Sequence, residues 1–208
     1  MAGRRKTYFC LVLAAVLLTV YTVYANFIDD PSAERFLSHK TAIKRVLNLD
    51  AWLPVMRIHV VFACLCMIAG MINFSSAVYK NHRKFHRMNG YLYVVSVMLV
   101  GLTSGYMAPY ATGGRVTSIP FNMLNIIWAA MTVIAVIKIK KKQVNAHRNW
   151  MTRSYLFVFT NLLIHLFTNL LQEVSGLSYI TSYTASVYGS ILMLLLAGEL
   201  IVRRRQVR

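Results

Sequence analysis

Apolar runs of about twenty residues, each closed at both ends by charge or histidine, recur six times along the chain. Lys6 is followed by no charged residue until Asp29, and His59 by an apolar run that ends at Lys80. Arg87 to Arg115, Arg115 to Lys138, Arg153 to Glu173 and Glu173 to Glu199 enclose the other four. A helix needs roughly 20 apolar residues to cross a bilayer's hydrocarbon core. Only helices and closed barrels satisfy their backbone in lipid, and these runs lack the period-two alternation of barrel strands. The pattern predicts an all-α integral membrane protein, a six-transmembrane helix bundle with spans at about 7–27, 55–78, 88–108, 118–138, 151–171 and 179–201.

Between the first two spans, Asp30-Pro31 reads as a cap and first helical turn. Phe36, Leu37, Ile43, Val46 and Leu47 then recur at helical spacing, which predicts an amphipathic outer-loop helix over 31–48. The organisation expected is an N-terminal transmembrane anchor (1–28), an outer loop (29–54) and a five-helix membrane bundle (55–208). Arg4, Arg5 and Lys6 with Val23-Tyr24-Ala25 also resemble a signal peptide and its cleavage site. The apolar run exceeds a usual signal core, so a retained anchor is the reading adopted.

Composition agrees with a membrane protein: 57% of residues are hydrophobic and only 14% charged, against about a quarter charged in soluble domains. The net charge of +17 is distributed unevenly. With the N-terminus inside, the inner segments hold 17 of the 23 lysines and arginines, so the positive-inside rule places both termini in the cytoplasm. Such a face attracts anionic lipid headgroups. No polar stretch is long enough for a soluble nucleic-acid-binding region. The three cysteines, Cys10, Cys64 and Cys66, show no zinc or disulfide spacing.

The candidate chemistry lies in the histidines. His147 and His165 are 18 residues apart, five whole turns and about 27 Å along one helix face. His59 in the second span matches the depth of His165, and His86 (or His82) that of His147. Low-spin haem iron takes two neutral imidazoles from different helices in apolar surroundings. His59 with His165 would ligate an outer b-type haem, and His86 with His147 an inner one. Arg57 and Arg153, near span ends, would clamp a propionate, an anionic quinone or a lipid. The function expected is bis-histidine electron transfer, with quinone as a possible exchange partner. The alternative is a non-enzymatic membrane protein for binding, transport or assembly, its histidines structural. Trp52, Trp128 and Trp150 read as interfacial belts. Asn73, Asn122, Asn125, Asn161 and Asn169 read as interhelical hydrogen-bonding groups, and Gly70, Gly90, Gly101 and Gly105 as points of close helix approach, Gly101 with Gly105 forming a G-x-x-x-G pair. The first and sixth spans, richest in plain aliphatics, are expected at the periphery.

The stretches RIHVVFACLCMIAGMINF, FHRMNGYLYVVSVMLVGLTSGYMA and AHRNWMTRSY, with Trp128 between the last two, resemble the bacterial membrane-protein family named for domain of unknown function 2306. The resemblance covers about residues 55–170 and includes His59, His86 and His147. It implies a multi-pass bacterial cell-membrane protein and carries no activity. The layout is also similar in outline to dihaem cytochrome b-type reductases, in which each of two helices carries two ligands; here His59 and His86 fall on separate helices.

Overall fold

The computed structural model describes residues 2–40 and 46–206. Six helical spans are long and apolar enough to cross a membrane. The first is α1 (Ala2–Tyr24), extended by a π-turn to Asp29. The others are α3 (Leu49–Asn73), α5 (Arg83–Met107), α6 (Arg115–Lys140), the joined pair α7 (Val144–Leu156) and α8 (Thr160–Ser175), and α9 (Tyr179–Gln206). Between them lie the short helices α2 (Glu34–Ser38) and α4 (Ser76–Asn81). An even number of spans returns the two ends of the chain to one side of the bundle.

The charges that bracket the apolar runs set the boundaries only loosely. The second span starts before Pro54, not after it: Asn48 caps α3 by accepting from the amides of Asp50 and Ala51. In α6, Pro120 removes the donor that would reach the Val116 carbonyl one turn back, and the Tyr188 hydroxyl of α9 bonds that carbonyl at 2.8 Å instead. In lipid such a substitute donor carries more weight than in water, because no solvent satisfies the freed carbonyl.

Two expectations about the elements fail. Of the expected outer-loop helix, the described residues are helical over Glu34–Ser38 and non-helical over 31–33, 39–40 and 46–48, and residues 41–45 lie outside the described residues. The fifth span is not one helix, because a 3₁₀ turn at Phe157–Phe159 interrupts it. No Gly or Pro marks that turn. The Thr160 hydroxyl bonds the Phe157 carbonyl at 2.7 Å, and a side chain entering the backbone ladder is a recognised cause of such a break.

The core sits among α3, α5, α6, α7 and α9, around Cys66, Tyr93, Val97, Leu124, Trp128, Tyr155 and Leu194. α1 is peripheral as expected: it packs on α3, and only 6% of its apolar window is buried. α9 is not peripheral. Ser182, Ser186, Ser190, Leu194, Gly198 and Val202, one every fourth residue, are all buried, and the helix packs on α6, α7 and α8. Small residues at this spacing let membrane helices approach closely. The expected close-approach pair does not act so: a Cβ at Gly101 or Gly105 would meet nothing within 4 Å. The tight crossing is at Gly70, where a Cβ would lie 2.2 Å from the Tyr155 ring.

Candidate functional site

At the centre of the bundle, polar groups from three helices bond one another. The Tyr93 hydroxyl (α5) lies 2.7 Å from Ser154 Oγ (α7), which lies 2.7 Å from Thr132 Oγ1 (α6). Trp128 Nε1 donates to the Tyr93 hydroxyl at 3.4 Å, and Thr132 also bonds the Trp128 carbonyl at 2.8 Å. Tyr155 adds a 2.9 Å bond to the Met67 carbonyl of α3. Buried polar groups cost free energy unless paired, and here the pairing locks four helices in one register. Nearer one end, the amides of Asn73 and Asn89 meet at 2.9 Å, and Asn89 donates to the Ala69 carbonyl. The expectation for the asparagines holds for Asn73 and for Asn125, which donates to Ser104 Oγ at 3.0 Å. Asn122, Asn161 and Asn169 are exposed. Trp52 and Trp128 are buried core residues, not interfacial belts.

Among the described residues no hydrogen bond or ring contact joins His59 to His165. His59 Nδ1 lies 3.0 Å from Thr103 Oγ1 on α5. Thr103 gives its own proton to the Leu99 carbonyl at 2.7 Å, so His59 donates from Nδ1 and ties α3 to α5. His165 is exposed on α8, a helix packed chiefly on α9. At the 3₁₀ turn three residues advance about 120° each, not 100°, so a face drawn on one uninterrupted helix is rotated by roughly 60° beyond the break. The described residues hold no group of three or more metal-ligating side chains. Arg57, assigned to a propionate, instead donates to the Pro31 carbonyl at 3.0 Å.

The inner histidines both lie near the starts of their helices. His86 opens α5 and lies within electrostatic reach of His147, which opens α7. His147 donates from Nδ1 to the Ala135 carbonyl of α6 at 2.8 Å, which fixes its ring and leaves Nε2 a bare acceptor. The His86 ring stands edge-on to Tyr79, centroids 5.5 Å apart. At the same membrane face Arg153 reaches Glu199 of α9 with Nε at 3.2 Å and Nη2 at 2.8 Å, while Arg203 reaches the other carboxylate oxygen at 2.8 Å. The Arg153 guanidinium lies 5.1 Å over the Trp150 ring. The arrangement offers an imidazole acceptor and a guanidinium preset by its carboxylate.

The opposite face is closed by the loop after α1. Lys40 sits 4.6 Å over the Phe36 ring and 5.5 Å from that of Trp52, and its amine donates to the Tyr110 carbonyl. Desolvation pushes the Lys40 pKa down to about 8. His39, expected to be merely solvated, stacks on Tyr179 with centroids 4.0 Å apart.

Sequence reasoning missed Tyr93, Thr132, Ser154, Tyr155 and the pairing of Glu199. Tyr93 and Ser154 each lie seven residues after a histidine of the quoted stretches, His86 and His147, and that shared spacing was the available signal. A family model described as a predicted membrane protein (DUF2306) matches residues 56–202 of this chain. No curated protein and no solved structure matches it.

Proposed function

The chain belongs to the DUF2306 family of predicted membrane proteins, and from that premise we propose that it is a non-enzymatic membrane-binding protein. Its site is the face carrying His86, His147, Arg153 and Glu199, and its ligand is the polar head of a quinone-type or anionic amphiphile. The observation that carries this reading is the contrast between centre and face. The centre is filled by mutually bonded side chains, with no exchangeable carboxylate to move a proton or ion through it. The face holds a bare imidazole nitrogen and an arginine whose Nη1 makes no hydrogen bond among the described residues. We place this face in the cytoplasm of a bacterial cell membrane, on the distribution of 17 of 23 basic residues.

Trp150 lies beside Arg153 and reports binding. Titration of the detergent-purified protein with a short-chain quinone and with a short-chain phosphatidylglycerol is expected to give a saturable change in Trp150 emission that Trp150→Phe removes. Arg153→Gln and His147→Gln are each expected to weaken it about tenfold, the scale of one charge-assisted hydrogen bond. Saturable binding unchanged in both variants would overturn the reading.

A second reading keeps a b-type haem at the inner pair alone. It is favoured by His147, whose Nδ1 bond to a backbone carbonyl is the orientation that metal-ligating imidazoles commonly adopt. It requires an α-band in the dithionite-reduced minus oxidised spectrum, abolished equally by His86→Ala and His147→Ala and untouched by His165→Ala. A colourless, folded, haem-replete preparation rejects it.

A further inference from the structure

The outward face of α9 carries a feature that the site above does not use. Gly189, Leu192, Met193, Leu196, Ala197 and Leu200 line a shallow apolar groove of about 380 Å³. Gly189 and Ala197 interrupt a row of exposed large side chains, leaving a depression along the helix. From Gly189 to Leu200, eleven rises of about 1.5 Å make it roughly 16 Å long. One leaflet of a ~30 Å hydrocarbon core is about 15 Å deep. Both ends of the groove thus match the reach of one leaflet's acyl chain.

Beyond its lower end, at the membrane face shared with Arg153, stand Arg203 and Arg204. At 100° per residue they fall about 50° to either side of the groove's axis. Both are exposed. Arg203 is held by Glu199 through Nε at 2.8 Å, and Arg204 makes no ion pair among the described residues. An apolar trough of leaflet depth that runs into two straddling guanidiniums is complementary to one molecule type. We propose that α9 seats a single anionic phospholipid of that leaflet, an acyl chain along the trough and the phosphate between Arg203 and Arg204.

A second copy of the chain fits less well. Copies in one membrane share one orientation, so pairing through this face would bring Arg203 and Arg204 of both copies together, a like-charge contact. A zwitterionic lipid would fill the trough equally but gain less at its end. The site shares no ligating residue with the histidine face, so either proposal can fail alone.

The test exchanges the full-length protein into nanodiscs of mixed phosphatidylglycerol and phosphatidylcholine, releases it into mild detergent and counts retained lipids by native mass spectrometry. In a His147→Gln background, one phosphatidylglycerol per chain, retained over phosphatidylcholine, is expected. Arg204→Gln is expected to lower its retention about fivefold, the scale of one surface arginine at an anionic leaflet, with Arg204→Lys restoring most of it. Gly189→Leu, which fills the trough, is expected to lower retention of both lipids without changing helix content by circular dichroism. The same losses are expected in a His147→Gln background, where the histidine face no longer holds the lipid. Equal retention of the two lipids, or equal retention across the α9 variants, would overturn the proposal. So would a chain dimer that Gly189→Leu disperses, or full competition by inorganic phosphate with no effect of Gly189→Leu.

Discussion

Tyr155 is the residue on which the core closes. Its ring lies against the backbone of α3 where Gly70 has no side chain, and its hydroxyl reaches the Met67 carbonyl one turn away. A methyl at position 70 would stand 2.2 Å from ring carbons that are themselves buried, so the ring has nowhere to retreat without releasing that bond. Gly70→Ala is therefore expected to destabilise the protein by about 1–3 kcal/mol, the range for overpacking a core. Thermal unfolding in detergent measures it. Gly101→Ala, where no atom lies within 4 Å of the added carbon, is the contrast and is expected to be neutral. Lys40 gives the pH prediction at this scale. Its folded pKa of about 8 lies below the ordinary 10.5, so between those values the open loop holds more protons than the closed one. Closure of the loop gains stability as pH rises through that window, with the full gain above it. Acylation of the Lys40 amine should reach half its limiting rate near pH 8. A midpoint near 10.5 would show the amine solvated.

The elements show how far a sequence can be read before geometry intervenes. Six spans, their approximate limits and the peripheral place of α1 follow from runs of apolar residues. So does the placing of His86 and His147 near the starts of α5 and α7, where spans enter the same face. The single face drawn through His147 and His165 does not follow, since it needs the phase of one helix to persist between them. Three residues, Phe157 to Phe159, cancel that phase, and a Phe-Val-Phe sequence carries no breaker that announces it. The place of α9 was misread for another reason. Its leucines were counted, whereas its serines are what pack. Ser182 and Ser190 are buried with hydroxyls that find no partner, so their small size is what the position requires. Ser190→Ala is then expected to leave stability equal or slightly raised, because an unpaired buried hydroxyl is removed at nearly constant volume. Ser190→Leu is expected to cost at least about 1 kcal/mol through overpacking. Loss of stability in both variants would mean that the hydroxyl is paired in the membrane.

For the whole molecule the decisive quantity is the direction in which the bundle sits. Lys80, Arg83, Lys84 and Arg87, then Lys138, Lys140, Lys141 and Lys142, then Arg203, Arg204 and Arg205 belong to the ends of α4 to α7 and α9 that open on one side. The opposite side holds five of the six acids, Asp29, Asp30, Glu34, Asp50 and Glu173. Translocating a loop is opposed by its lysines and arginines much more than it is favoured by its acids, so the basic side is expected to remain where synthesis occurs. The same orientation sets the histidine–arginine face and the arginine end of the α9 groove against the anionic cytoplasmic leaflet, which both proposals need. A cysteine placed at Asn81 in a chain lacking its three native cysteines should resist a membrane-impermeant maleimide added to intact cells and react after permeabilisation. A cysteine at Ser178, in the turn between α8 and α9, should show the reverse. Labelling of the Asn81 position from outside would invert the molecule, and with it the leaflet from which either ligand is drawn.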